Sequence, residues 1–99
     1  MDEGAPGRRA RAWLGFYPQG FDGGVVVSGV VANGPAEAAG LQAGDLVLSV
    51  EGERVTTLRE LYGAIWKKEP GDALRLQILR DSAIRSVEVT GGDREVFFR

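Results

Sequence analysis

The sequence predicts an α+β fold in which short strands are interrupted by one short and one longer helix. Three observations carry this prediction: a β-branched run at residues 24–31, a helix-capping pattern at 57–60, and two alternating runs at 73–80 and 83–89. The predicted order is strand, strand, short helix, strand, short strand, long helix, strand, strand. A chain of 99 residues is the size of one domain with one core.

The first half of the chain contains a strand, a short helix and a second strand. Residues 24–31, "GVVVSGVV", are β-branched and bounded by glycines, which predicts a buried strand with Gly29 as a candidate bulge. Pro35 suits a first helical turn, the alanines after it propagate the helix, and Gly40 ends it. Residues 45–50, "DLVLSV", then predict the next strand.

A longer helix is predicted to begin after Thr57. Thr57 and Glu60 form a capping box, in which the hydroxyl and the carboxylate satisfy main-chain N–H groups at the helix start. An apolar stripe at helical spacing faces a core and comprises Leu58, Leu61 and Ile65. Lys67 and Lys68 complement the helix dipole, and "EPG" at residues 69–71 ends the helix.

The remaining elements are short strands and turns. Residues 51–52 predict a turn, with a brief strand near residues 54–55. The alternating runs 73–80 and 83–89 predict a hairpin with leucine and isoleucine facing inward and charges facing outward. The segment 91–99 is predicted to be a C-terminal tail or an extra strand, and the residues leave both alternatives open.

Composition restricts the functional classes. The chain is 43% hydrophobic and carries a formal net charge of -2, which argues against a nucleic-acid binder. No apolar run approaches the roughly 18 residues of a membrane span. The chain contains no cysteine and no histidine, so the sequence predicts no catalytic residue, no metal site and no cofactor. Residues 1–10 are predicted to form a flexible leader, and the composition leaves the cellular compartment open.

The stretch "WLGF" at residues 13–16 contains a glycine between large apolar residues. Glycine in a strand marks a bulge or a close approach to the main chain. With apolar neighbours, Gly15 could direct successive N–H groups toward one point beside an apolar hole, as an anion nest does. A terminal carboxylate with an apolar last side chain fits such a place. A simple bulge in an edge strand is the alternative interpretation.

The chain resembles a PDZ domain, particularly the permuted bacterial type of HtrA/Deg trypsin-like proteases. The resemblance is carried by "WLGF", by "GPAEAAGLQAGDLVLSVEG", and by "TTLRELYGAI" followed by "EPGDALRLQILRD". It covers residues 11–90. It implies a five- to six-stranded, partly open antiparallel barrel or sandwich capped by the two helices.

The resemblance implies that a peptide end is captured by strand addition between the strand from Leu14 and the helix at residues 58–68. The implied peptide-binding residues are Trp13, Leu14, Gly15, Phe16, Tyr17, Leu61, Ala64, Ile65 and Lys68. Arg11, with Arg8 and Arg9, is a candidate source of positive charge near the carboxylate, and a solvated basic leader is the alternative interpretation of each of them. Tyr62 and Trp66 are interpreted as surface or partner-domain contacts. The implied partners are C-terminal or unfolded peptide segments and the protease domain of the parent chain.

Two single residues qualify this interpretation. In PDZ domains the residue at the position of Pro18 normally offers both its N–H and its C=O to the ligand, and proline has no N–H. Unless the strand is bulged into a different register, we therefore predict that recognition is concentrated in the last one or two ligand residues. Asp45 opens a strand after a glycine, which favours a structural turn residue over an acid or a metal ligand.

Three functional classes follow from these residues. The leading hypothesis is a non-catalytic, peptide-binding regulatory domain of an HtrA-like serine protease, whose resemblance implies the periplasm or cell envelope. The same module resembles those of site-2 metalloproteases, tail-specific proteases and secretion-system components. The alternative is a docking or oligomerisation module that uses Tyr62, Trp66 or the "EVFF" tail. A stand-alone enzyme is poorly supported, because the acidic residues fit turns and solvated strand faces.

Overall fold

The computed structural model describes residues 11–98. The predicted leader at residues 1–10, with Arg8 and Arg9, lies outside the described residues, as does Arg99. The described elements are β1 (Phe16–Phe21), β2 (Gly24–Val30), α1 (Pro35–Ala39), β3 (Leu46–Val50), β4 (Glu53–Arg54), α2 (Leu58–Ile65), β5 (Ala73–Arg80), β6 (Ala83–Thr90) and α3 (Arg94–Phe97). The predicted α+β class and the predicted element order are confirmed.

The strands form one antiparallel sheet with the order β1-β2-β3-β5-β6, and β4 pairs with β3. Turns at residues 22–23 and 81–82 close the hairpins β1-β2 and β5-β6. This order leaves β1 at one edge of the sheet, with β2 as its only strand neighbour among residues 11–98. The position of β1 matters because an edge strand has unpaired main-chain groups on one side.

The core lies between the sheet and α2. Leu74, Leu76 and Ile78 alternate along β5 and are completely buried, as the period of two predicts. From α2, Leu61 and Ile65 enter the same cluster. Because burying each such side chain stabilises the fold by about 1.5–3 kcal/mol, this packing fixes α2 across the sheet and beside β1.

A buried ion pair joins the loop before β3 to the end of β5. Asp45 is 1% exposed and accepts hydrogen bonds from Arg80 through both carboxylate oxygens, at 2.8 and 2.6 Å. The Gln42 N–H also donates to Asp45, at 2.9 Å, and Arg80 donates to the Gly40 carbonyl at 2.9 Å. These contacts agree with the interpretation of Asp45 as a structural residue.

The protonation of Asp45 follows from these contacts. Burial raises the pKa of its carboxyl, but the hydrogen bond and the charge of Arg80, together with the Gln42 N–H, outweigh burial and lower the pKa below its usual value. The same pair raises the pKa of Arg80, first through the hydrogen bond to Asp45. Asp45 is therefore ionised at neutral pH.

The longer helix ends earlier than the sequence predicts. α2 stops at Ile65, whereas the predicted helix continues to Lys68. The N–H of Lys68 donates to the Ile65 carbonyl in a turn, and the Lys68 carbonyl accepts from the N–H of Ala12 at 3.1 Å. The chain therefore leaves the helix to pair with the segment that precedes β1.

The C-terminal segment makes one bridge to the segment before β1 and then a short helix. Gly92 makes an isolated antiparallel bridge with Trp13, and residues 94–97 then form α3. The Asp93 side chain caps this helix by accepting from the Glu95 N–H at 3.0 Å. The bridge ends after a single residue pair and the capped turn redirects the chain, so residues 91–98 add no further strand to the sheet.

Candidate functional site

The segment before β1 turns three successive carbonyl groups toward the protein. The carbonyl of Trp13 accepts from the N–H of Gly92 at 2.8 Å, that of Leu14 accepts from Ala36 at 2.8 Å, and that of Gly15 accepts from Val31 at 2.9 Å. In a trans peptide the N–H of the next residue points opposite to the carbonyl. The N–H groups of residues 14–16 therefore point away from these internal partners.

Those N–H groups remain available. Within residues 11–98, neither the Leu14 N–H nor the Gly15 N–H donates a hydrogen bond. Phe16 lies opposite Val30 in the ladder, and the Val31-to-Gly15 bond makes this a pair without direct hydrogen bonds. The Phe16 N–H therefore faces the open edge of the sheet, in the direction expected for an anion-binding loop.

The conformation of Gly15 explains why a glycine lies between the large apolar residues of "WLGF". Its φ of 74° lies in the left-handed region, and a Cβ at this position would lie 2.8 Å from Cδ of Pro35. Any side chain would thus collide with the first turn of α1. The close approach predicted at this glycine is made by α1 itself, and it orients the carbonyls described above.

A cavity of about 440 Å³ lies between this segment and α2. Residues 11–18 form one wall, Tyr62, Ile65 and Trp66 form the opposite wall, and Val31, Arg94 and Phe98 complete the lining. The lining is mainly apolar and contains two arginines, and none of its described residues is acidic. Such a cavity suits a ligand that has an apolar side chain and a negatively charged group.

Each of the two arginines lies over an aromatic ring. The Arg11 guanidinium is 4.5 Å from the ring centroid of Trp66, and that of Arg94 is 5.6 Å from the ring centroid of Phe98. Cation–π contacts of this kind restrict long side chains without neutralising them. The cavity therefore has one guanidinium group over Trp66 on the helix side and one over Phe98 on the side of the C-terminal segment.

The helix flank differs from the sequence-based assignment. Leu61 is fully buried and Ala64 is 6% exposed, so both belong to the core and neither lines the cavity. Lys68 also lies outside the lining and faces Glu51 at 3.6 Å. Ile65 reaches the cavity as predicted. The apolar arc of the helix meets the sheet, as its spacing predicts, and the exact rotation of the helix about its axis decides which residues at the edge of that arc reach the cavity.

The sequence favours surface or partner-domain contacts for Tyr62 and Trp66, and the structure places both in the cavity wall. Their rings are stacked with centroids 5.0 Å apart. Trp66 is nonetheless 48% exposed. The spacing of four residues between two aromatic side chains on one helix was the signal that could have identified this wall.

The predicted residues on the strand side all lie at the cavity. Arg11, Trp13, Leu14, Gly15, Phe16 and Tyr17 line it, as does Pro18. Sequence reasoning missed Arg94 and Phe98, which reach the cavity only because α3 folds back onto Trp13. The roles of all these residues in peptide binding remain predictions.

The open edge of β1 is interrupted at Pro18. Its partner in the ladder is Val27, whose N–H and C=O are both bonded to residues 44–45 on the other side. Pro18 therefore directs its own main-chain groups to the open edge, where it offers a carbonyl but no N–H. A bulge precedes it, because Tyr17 pairs with Gly29 and Pro18 with Val27. Ser28 is therefore the extra residue of the bulge, and it directly precedes Gly29, where the sequence predicts the bulge.

The groove between β1 and α2 narrows beyond Pro18. A Cβ on Gly20 would lie 3.3 Å from Cγ of Leu58, so the Leu58 side chain packs directly against the strand. Neither residue lines the cavity. The part of the edge that borders the cavity therefore ends at Pro18.

An edge strand bordered by a helix, with outward-facing amides at its start, is the architecture of domains that bind peptides by strand addition. A family model described as PDZ domain matches residues 12–90. The chain therefore belongs to the PDZ domain family, which confirms the resemblance recognised in the sequence.

Known proteins place the chain near bacterial proteases. It is 35% identical over 99 residues to a probable periplasmic serine endoprotease DegP-like of Halomonas elongata, covering 88% of this chain and 21% of that protein. It is 42% identical over 65 residues to the zinc metalloprotease RasP of Geobacillus kaustophilus, covering 66% of this chain and 15% of that protein.

A solved structure of the HtrA-type protease AlgW with decapeptide matches with a TM-score of 0.78 and 26% identity, over 86% of this chain and 30% of that one. The chain spans about a fifth of the length of the DegP-like relative from Halomonas elongata. PDZ domains are non-catalytic modules of HtrA proteases. Among residues 11–98, no helix is long and apolar enough to cross a membrane, and no group of three or more potential ligand side chains could hold a metal ion.

Proposed function

We propose that this PDZ domain captures the C-terminal ends of polypeptides by strand addition to β1. The observation that carries the proposal is the outward direction of the N–H groups of residues 14–16, which border a cavity that has two arginines and no acidic residue in its described lining. A terminal carboxylate supplies the charge, and its last side chain supplies the apolar surface.

The ligand enters antiparallel to β1, with its carboxylate at the segment before the strand. The N–H groups of Leu14, Gly15 and Phe16 donate to the carboxylate, and Arg11 adds a positive charge. The last side chain packs between Phe16 and Ile65. Each hydrogen bond to a charged group contributes about 1.5–3 kcal/mol, whereas association costs several kcal/mol. The expected dissociation constant is roughly micromolar.

The first prediction concerns the terminal charge of the ligand. We expect a fluorescent hexapeptide ending in Ala-Phe to bind at least about tenfold more tightly with a free carboxylate than with a terminal amide, because amidation removes a charge-assisted contact. Fluorescence anisotropy measures both forms at identical ionic strength. Equal affinities for the two forms would exclude carboxylate capture.

The second prediction concerns the length of the groove. Because Pro18 lacks an N–H and Leu58 packs against Gly20, lengthening the peptide from two to six residues is expected to improve affinity less than about threefold. In Pro18→Val, which restores the donor, and in Leu58→Ala, which opens the groove, the longer peptide is expected to gain more than in the wild type.

Backbone amide shifts test the same point independently. Perturbation should be strongest at residues 14–17 during titration with the hexapeptide and should decline along β1. A steep gain in affinity with length in the wild type, accompanied by strong shifts beyond Gln19, would contradict the short-groove prediction.

The module acts, in this proposal, as a regulatory or targeting domain of an HtrA-like serine protease. The DegP-like relative and the AlgW structure with decapeptide support this assignment. The same resemblance supports a periplasmic or cell-envelope location, since the DegP-like relatives are described as periplasmic. The protease domain of the parent chain is its proposed partner, and weak reversible binding suits repeated sampling of exposed peptide ends.

A docking or oligomerisation role is the second candidate, and the exposed apolar side chains of the C-terminal segment favour it. Val96 and Phe98 are each 57% exposed. Size-exclusion chromatography of the chain with and without residues 91–99 separates the two roles. An oligomer that requires the tail favours docking, whereas an unchanged monomer that binds free C-terminal peptides favours capture.

A further inference from the structure

The C-terminal helix α3 packs against the residue that opens the carboxylate segment. The rings of Phe97 and Phe98 lie 5.0 and 5.3 Å from the ring of Trp13, and 5.0 Å from each other. Trp13 in turn approaches Gly15, because a Cβ on that glycine would lie 3.5 Å from the edge of the indole ring. The aromatic cluster therefore borders the cavity at its carboxylate end.

Only part of this cluster faces the cavity. Phe98 and Arg94 line it, whereas Phe97 contacts Trp13 without lining it. The Arg94 guanidinium lies over the Phe98 ring, which holds it on the tail side of the cavity, just as Trp66 holds Arg11 on the helix side. The two guanidinium groups thus approach one cavity from different walls.

No described interaction neutralises Arg94. Among residues 11–98, no carboxylate forms a salt bridge with it, and the acidic neighbours on α3 do not line the cavity. A planar guanidinium without a carboxylate partner is suited to bind an oxyanion through its fork of N–H donors. Unpaired donors on the lining of the same cavity are the N–H groups of residues 14 and 15.

From this arrangement we infer that Arg94 is a ligand-contacting residue that binds the terminal carboxylate together with Arg11 and the main-chain donors. Phe98 is a positioning residue that holds Arg94 through its ring. The inference rests on the proposed capture of C-terminal ends and deepens it, since it adds the tail helix as a third wall of the site. It also gives the segment 91–99 a role in ligand selection.

The test compares variants of the full chain with the free and amidated hexapeptides ending in Ala-Phe. Arg94→Gln is expected to weaken binding of the free form about threefold to tenfold and to leave the amidated form unchanged, because the charge contact requires a carboxylate. Phe98→Ala is expected to give a smaller loss with the same selectivity. Arg94→Lys keeps the charge without the planar fork and is expected to lose less than Arg94→Gln.

Two control variants make the test specific. Phe97→Ala removes a ring that also packs on Trp13 but does not line the cavity, and Arg85→Gln removes a positive charge from β6 at the opposite edge of the sheet. Both are expected to retain the preference for the free carboxylate. Thermal unfolding of each variant verifies that the fold is intact.

The outcomes separate this inference from the proposed function. If the wild type does not distinguish the free from the amidated peptide, carboxylate capture itself fails. If the wild type does and Arg94→Gln keeps that preference, or if Arg85→Gln loses as much, only the role of Arg94 is overturned. Tighter binding by Phe98→Ala would also overturn it, since it would make the tail an obstruction.

Discussion

Asp45→Ala is expected to lower the free energy of unfolding by about 3 kcal/mol, because removing one partner of a buried pair leaves the other without compensation. Asp45 is 1% exposed and accepts three of the hydrogen bonds described above. Its loss frees Arg80 and the N–H of Gln42, and it uncouples the loop before β3 from β5. Urea unfolding at neutral pH, monitored by tryptophan fluorescence, measures the change.

Glu53→Ala is the matched control for this prediction. Glu53 pairs with Lys67 at 2.9 Å, but the two side chains are 57% and 63% exposed. Solvent screens such a pair, so its removal is expected to change stability little. Similar losses for the two variants would show that burial of the Asp45 pair does not matter.

The effect of Asp45→Ala should also depend on pH. Because the folded protein lowers the pKa of Asp45, its contribution is fully present above the unfolded-state pKa of about 3.9 and is lost as pH falls through the lower folded value. The stability difference between wild type and Asp45→Ala should therefore be largest near neutral pH and narrow below about pH 4. A difference that stays constant to low pH would contradict the ionic origin of the effect.

Gly15→Ala is expected to cost about 2–4 kcal/mol of stability and to abolish peptide binding, because left-handed strain adds to a collision with α1. The φ at this position is 74°, and the new Cβ would lie 2.8 Å from Cδ of Pro35 and 3.3 Å from its nitrogen. A proline ring cannot move aside as a flexible side chain can. The loop must shift, and its N–H groups shift with it.

The control for Gly15→Ala is Gly44→Ala. Gly44 has a φ of 96°, and a Cβ there would meet nothing within 4 Å. It therefore carries the conformational strain alone, about 1–2 kcal/mol, with binding retained. Urea unfolding and titration with the free hexapeptide measure both properties. Equal losses of stability, or binding retained in Gly15→Ala, would contradict the role of the close approach to Pro35.

Elements with strong local signals could be predicted from the sequence. The start of α2 is one example, since the Thr57 hydroxyl accepts from the Glu60 N–H at 3.1 Å, as the capping box predicts. The β5-β6 hairpin is another, because alternation alone identifies which leucine and isoleucine side chains face the core. Such features depend on residues close together in the chain, so a local pattern is sufficient to specify them.

The candidate site could be predicted only in part, because some of its walls depend on contacts between residues that are far apart in the chain. The strand side could be predicted, because a glycine between large apolar residues is a local feature. The helix side depends on the rotation of α2 over the sheet, which is set by the packing of Leu61 and Ile65 against distant strands. The tail wall depends on contacts between Phe98 and Trp13, which are far apart in the sequence, so its residues appear locally as an ambiguous apolar end.

The interruption of the β1 edge at Pro18 also bears on solubility. A strand edge that pairs with a peptide can also pair with the same edge of a second copy, and this edge-to-edge pairing leads to aggregation. Pro18 interrupts the donor row of this edge, and the Leu58 side chain packs against Gly20 further along the strand. We expect these two residues to disfavour a continuous intermolecular sheet, while the N–H groups of residues 14–16 stay available to the end of a ligand.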